Sequence, residues 1–160
     1  MTQSATPPIA VDAAATPSRK GALILPEPFA GRLSGRMKHA LGDVFGVKTF
    51  GVNLTRIPPG TVSSVHHRHT VQDEFVYVLE GHPTLVTDAG EAPLSPGMCA
   101  GFAANGPAHH LENRTDREVV VLEVGDRASG DEVVYPGEDL KLVPGPDGKR
   151  RFVHADGTPY

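Results

Sequence analysis

Cysteine occurs once in this chain of 160 residues, at Cys99. An internal disulfide is therefore excluded, and so is a zinc site built from several cysteines of one chain. An excess of one charge is equally lacking: the formal net charge is −4, and Lys and Arg form no long block. Aromatic residues are 6% of the chain and none lies between basic residues as a stacking platform, so nucleic acid is not an expected partner. No stretch approaches the roughly 18 consecutive apolar residues of a membrane span, and the first residues lack the basic-then-apolar order of a secretory signal. These absences predict a soluble, cytoplasmic protein that makes no membrane contact. Helical periodicity is scarce as well.

Glycine and proline, by contrast, are abundant, at 18 and 15 residues, as many short strands joined by tight turns require. Residues 1–20 are rich in Ala, Thr, Ser and Pro and read as a flexible leader, in which Ile9 to Val11 could pair with a partner's edge. Residues 21–49 read as an N-terminal strand and connection: ALIL at 22–25 is the candidate strand, and the glycines and basic residues of 31–43 favour a long connection or irregular strand over a helix. From Phe50 onward strand follows strand. FGVNLTRI, EFVYVLE, TLVT, MCAGF, AHHLEN and EVVVLEV are separated by turns such as Gly81-His82-Pro83 and Asn105-Gly106-Pro107. Residues 50–125 are thus the expected core. Residues 126–160, with their GDRASGD, PGED and PGPDG stretches, are expected to be a loop-rich extension, mostly turn and loop. Alternation of this kind predicts an all-β sandwich or barrel and does not choose between them.

The chemistry concentrates in HHRHTVQDEF, residues 66–75. Residues two apart in a strand share a face, so His67 and His69 point one way while His66 and Arg68 point the other. If TVQD makes a tight reversal, Glu74 returns beside the two imidazoles, in phase with Val76 and Val78. Farther along, His109, Leu111 and Asn113 share a face and His110 opposes them. Two histidines at i and i+2, a glutamate and a distant third histidine make a mixed nitrogen and oxygen metal site. The same residues also fit plainer roles. An isolated HxH can be two partly buried polar side chains, Glu74 a strand-end charge, and the 109–110 pair part of a loop hydrogen-bonded to Asn113.

Residues 60–81 resemble the first motif of the cupin superfamily: Gly60, His67, His69, Glu74 and Gly81, with TVQD and FVYVLE as spacers. Residues 97–113 resemble the second, through Gly97, His109 and Asn113. Two departures stand out. Six residues rather than five separate Gly60 from His67, and Ala103 stands where proline is usual, with Gly106 one place late. The resemblance runs from Phe50 to Val124, and both motifs occur in order. It implies a double-stranded β-helix, the jelly-roll barrel, with one divalent metal (Zn, Fe, Mn or Ni) held by His67, His69, Glu74 and His109. It also implies a homodimer formed by packing sheets and exchanging N-terminal strands.

Val76, Val78, Leu111 and Asn113 are the expected pocket lining, suited to a small organic ligand that offers oxygen to the metal. Such a centre fits a metal-dependent enzyme on a small metabolite, an oxygenase or isomerase, or else a non-catalytic module that binds a sugar or another metabolite. No further acid, base or nucleophile has a position that singles it out. Tyr77 is out of phase with Glu74, and His66 and His110 join the pocket only if a bulge reverses the phase.

Overall fold

A computed structural model describes residues 7–18 and 25–160. Twelve strands are found among them, all paired antiparallel. The strands read from the sequence appear where alternation placed them: β2 Phe50–Ile57, β4 Glu74–Glu80, β5 Thr84–Thr87, β7 Cys99–Phe102, β8 His109–Glu112 and β9 Val119–Asp126. Three of the four residues of the ALIL strand lie outside the described residues. Leu25 is described, and it packs against the apolar cluster that contains Phe29 and Tyr135. The 31–43 stretch is more regular than a long connection: after a 3-10 turn at Ala30–Leu33 it forms β1 (Met37–Ala40) and a single helical turn, α1 (Leu41–Val44).

One five-stranded sheet has the order β1-β2-β9-β4-β7. Its registers place Lys38 opposite Thr55, Asn53 opposite Glu123, and Glu74 opposite Gly125. On β4 the alternation separates two faces. Val76 and Val78 are buried, whereas Phe75, Tyr77 and Leu79 are 42%, 38% and 41% exposed. The inward set packs with Ile57, Leu85, Leu94, Leu111, Val119 and Val121 into one apolar core. Burying an aliphatic side chain of this size stabilises by about 1.5–3 kcal/mol.

A three-stranded sheet, β6 (Gly90–Pro93)-β5-β8, faces that core. The segment read as mostly turn and loop contains three further strands, β10 (Val133–Val134), β11 (Lys141–Pro144) and β12 (Arg150–Val153), which join the two-residue β3 (Arg68–His69) in a four-stranded sheet. They carry a second core of Val133, Tyr135, Leu140 and Leu142, closed by Phe29 and Val65. A bridge between His67 and His109 links the four- and three-stranded sheets. Part of the expected leader is also anchored: Ser18 bridges to His39, and the buried His39 ring hydrogen-bonds through Nδ1 to the Thr16 carbonyl at 2.6 Å. No helix among the described residues is long and apolar enough to cross a membrane.

Candidate metal centre

The backbone first makes His67 and His109 neighbours. His67 N–H donates to the His109 carbonyl at 3.2 Å, and His109 N–H donates back at 2.8 Å. His69, two residues on, faces the same way. The four residues TVQD do reverse the chain, and the agent is one that spacing did not reveal: Asp131, whose side chain is 1% exposed. Its Oδ1 accepts the backbone N–H groups of Thr70, Val71 and Gln72 at 3.0–3.2 Å. Glu74 therefore enters β4 with its carboxylate turned to the rings.

Three imidazole nitrogens converge on one oxygen. Glu74 Oε2 lies 3.4 Å from His67 Nε2, 3.4 Å from His69 Nε2 and 3.2 Å from His109 Nε2. The ligand atoms of His67, His69 and Glu74 all fall within 4.8 Å of one another, and His109 joins them through Glu74. The other nitrogens fix the tautomers. His67 Nδ1 donates to the Val65 carbonyl at 2.9 Å, and His69 Nδ1 donates to Asp131 Oδ2 at 2.6 Å. His109 Nδ1 is buried and makes no hydrogen bond of ordinary geometry among the described residues, the Pro107 backbone being the nearby group that favours its proton. The ring of His109 is clamped instead by Phe102, stacked at 3.4 Å between centroids.

Electrostatics follow from this crowding. Burial alone would raise the Glu74 carboxyl, but the contacts from His109, His67 and His69 outweigh it and hold the group far below the usual carboxylate range. Burial lowers His109, whereas for His69 the pull of Glu74 and Asp131 overcomes burial and raises it. Asp131 is lowered against its own burial, chiefly by His69 and the backbone amides of its loop.

The donor set passes a direct chemical test for a divalent cation. With Nδ1 committed as a donor, a neutral His67 or His69 presents Nε2 as a lone pair, and Glu74 presents only lone pairs. Protons alone could satisfy the contacts only by charging both His67 and His69, whose ring centroids lie 5.4 Å apart. One cation among four acceptors removes that conflict, and the Asp131–His69 bond is the carboxylate support that metal-bound histidines usually have.

Beyond the centre opens a pocket of about 500 Å³ including its mouth. Val76 and Leu111 line it as expected. Val78 does not: it is fully buried in the core behind. Asn113 does not either. Its amide donates to the carbonyls of Ile57 (2.8 Å) and Arg117 (2.7 Å), and its Oδ1 accepts from Thr115, so it ties the loop between β8 and β9. His66 and His110 lie on the opposite face of their strands, as the phase requires, and no bulge brings them inward.

Spacing missed the charged part of the lining: Arg36, Lys38 and Glu123. Lys38 Nζ lies 2.5 Å from Glu123 Oε2, which also accepts from Thr55 Oγ1 at 2.9 Å. Arg36 donates to the Ser63 carbonyl and ion-pairs with no carboxylate among the described residues. Burial lowers its pKa against the more distant pull of Glu123. The signal for Glu123 was available, since it shares the inward phase of Val119 and Val121 and is the charge that breaks that face.

The fold is β-rich and carries a His/His/Glu cluster that a divalent ion could occupy, and residues 53–125 match the family described as Cupin domain. The chain belongs to the cupin superfamily. It is similar to a sugar phosphate isomerase of the cupin superfamily from Silicibacter pomeroyi, at 38% identity over 94% of this chain and 96% of that one, with a TM-score of 0.86. It is also similar to a candidate sugar phosphate isomerase from Acidithiobacillus ferrooxidans, at 32% identity over 78% and 80% of the two chains and a TM-score of 0.69. A polyketide cyclase from Streptomyces resistomycificus shares the fold at 21% identity over 73% and 78% of the two chains, with a TM-score of 0.60. No curated protein matches the chain.

Proposed function

We propose that this protein is a metal-dependent isomerase of a small phosphorylated sugar, working inside a jelly-roll barrel with His67, His69, Glu74 and His109 as the ligands of one divalent ion. The single observation that carries the reading is Arg36, a guanidinium in the pocket wall without a carboxylate partner among the described residues, beside the His67, His69 and Glu74 cluster that His109 joins. A charge in such a position is costly unless a counter-ion arrives. The substrate's phosphate is the natural counter-ion, and Arg36 with the neighbouring Ser63 and Ser64 is placed to receive it. The names borne by the two relatives above 30% identity point to the same substrate class.

A divalent ion held by His67, His69, Glu74 and His109 would supply Lewis-acid polarisation of the sugar's carbonyl. The chain supplies the rest. Arg36 anchors the anionic end and sets the distance of the carbonyl from the histidines. Glu123, the pocket carboxylate that does not face the histidines, takes the proton from the carbon beside the carbonyl and returns it to the former carbonyl carbon. The hydroxyl proton moves to the other oxygen, so the substrate's composition is unchanged and no oxidant is needed. Lys38 and Thr55 hold Glu123 in place for that transfer. Val76 and Leu111 keep the wall beside the metal dry.

The test is incubation of metal-loaded protein with aldose and ketose phosphates in deuterated water, read by NMR. The reading predicts interconversion with deuterium entering at the carbon next to the carbonyl, under several divalent ions and without dioxygen. Arg36→Met is expected to raise KM by roughly tenfold to a hundredfold, the worth of a charged hydrogen bond, and Glu123→Gln to lower kcat. Sugar phosphates that bind and are recovered without deuterium make the protein a binding module instead.

The chain is further proposed to pair as a homodimer through the outer face of its five-stranded sheet. Phe75, Tyr77, Leu79 and Met98 are large apolar side chains exposed together on β4 and the turn before β7. Apolar groups gathered in that way mark an interaction surface.

A further inference from the structure

Two histidines next in sequence to central ligands, His66 beside His67 and His110 beside His109, meet each other on the far face. His66 Nδ1 and His110 Nδ1 are 3.0 Å apart, and the rings stand edge to face at 86° with centroids 5.2 Å apart. Each ring has a carboxylate behind it. His66 Nε2 lies 2.9 Å from Asp88 Oδ1, and His110 Nε2 lies 3.0 Å from Glu112 Oε1. The carboxylates are themselves fixed. Asp88 Oδ2 accepts the Ala108 N–H at 2.9 Å, and Glu112 Oε2 accepts from Arg114 Nε at 2.6 Å.

Counting donors leaves a gap in the middle of this row. An ionised carboxylate only accepts, so each Nε2 carries its hydrogen. A neutral imidazole has one N–H, so both Nδ1 atoms then present lone pairs to each other at 3.0 Å. Two lone pairs at that distance repel unless a positive species lies between them. The rest of the arrangement is that of metal-bound histidine, in which the outer ring nitrogen donates to a carboxylate that fixes tautomer and orientation. With metal–nitrogen bonds of about 2.0–2.1 Å, nitrogens 3.0 Å apart subtend about 90° at the ion. That angle belongs to square-planar or octahedral coordination, the preference of nickel and copper rather than of tetrahedral zinc.

We propose that His66 and His110 form a second metal site, on the outer face of the strands, that takes a divalent cation of the nickel or copper class through their two Nδ1 atoms. Water or an outside donor completes the coordination. Access is open, since the side chains are 24% and 12% exposed. The site is independent of the chemistry in the central pocket, from which the strand alternation separates it.

The experiment is a calorimetric nickel titration of the metal-free full chain, with elemental analysis after buffer exchange. Wild type is expected to bind two nickel ions per chain. His66→Gln and His110→Gln are each expected to bind one, while His69→Ala, which removes a central ligand, keeps the outer ion. Copper bound to the His69→Ala protein is expected to show two imidazole nitrogens in its paramagnetic resonance spectrum. A wild-type stoichiometry of one that His69→Ala abolishes would falsify the proposal, because a shared proton would then bridge the rings. A His66→Gln protein that still takes two ions would do the same. Should His110→Gln not fold, Asp88→Asn replaces it: its outer-site affinity is expected to fall at least tenfold, and an unchanged affinity counts against the site.

Discussion

Asp131 shows how one residue can hold a whole site. One oxygen gathers three backbone amides of the loop between His69 and Glu74; the other receives His69 Nδ1–H and also the Arg150 guanidinium. The folded carboxyl lies below its ordinary range, so the stability it contributes is present through neutral pH and is lost as the pH falls through the acid range. Asp131→Asn retains the shape but puts an amide where an acceptor is needed on one side or the other. Metal affinity, measured by competition with a chelator, is expected to fall roughly 10–100-fold, with Asp131→Asn remaining folded at neutral pH. Wild-type affinity in this variant would mean that His69 needs no support or is not a ligand. Nothing in the sequence announced Asp131. It sits in GDRASGD, a stretch whose composition speaks only of turns, and its partners in the histidine loop are about sixty positions away. By contrast His67, His69, Glu74 and His109 were legible because strand alternation is local and three of the four lie within eight residues.

Among the elements, the readable ones were those with an apolar and a polar face. EFVYVLE and TLVT alternate, and they form β4 and β5 at the expected positions. Strand β6 does not: all four of its residues are exposed, so no burial pattern marks it and pairing with β5 alone defines it. The strands β10 to β12 were hidden for a related reason, being two to four residues long among glycines and prolines. In β2 both faces could be read but not assigned. Thr55 is fully buried and donates to Glu123, whereas on the opposite phase Phe50 is 43% exposed and Leu54 is buried, so apolar character alone does not tell the two sides apart. The turn after β4 offers a sharp test of the architecture. Gly81 has φ +79°, and a Cβ there would lie 2.7 Å from the Glu118 carbonyl oxygen and 2.8 Å from Val119 Cγ2. Gly81→Ala combines left-handed strain with a clash against β9 backbone and is expected to cost about 2–4 kcal/mol in chemical denaturation. A loss below about 0.5 kcal/mol, the ordinary scatter for harmless surface changes, would show that β4 and β9 do not approach this closely.

At the scale of the molecule, the two faces of the five-stranded sheet have separate tasks. The inner face combines an apolar base with a charged rim of Arg36, Lys38, Glu74 and Glu123 around the pocket. The outer face carries the apolar side chains proposed to pair two chains. Membership of the superfamily was legible from both motifs, and the two departures, the extra residue before His67 and Ala103, leave the four ligand-type side chains converging. The proposed substrate end was not legible, because Arg36 and Lys38 belong to a segment without alternation and reach the pocket through the pairing of β1 with β2. Native mass spectrometry of protein purified without added metal tests the central claim most directly, because it weighs subunits and bound ions together. The account predicts a species of twice the chain mass carrying a divalent ion in each central site, so that His69→Ala carries one ion fewer per chain. A metal-free spectrum that stays metal-free after incubation with micromolar zinc, iron, manganese or nickel would contradict it.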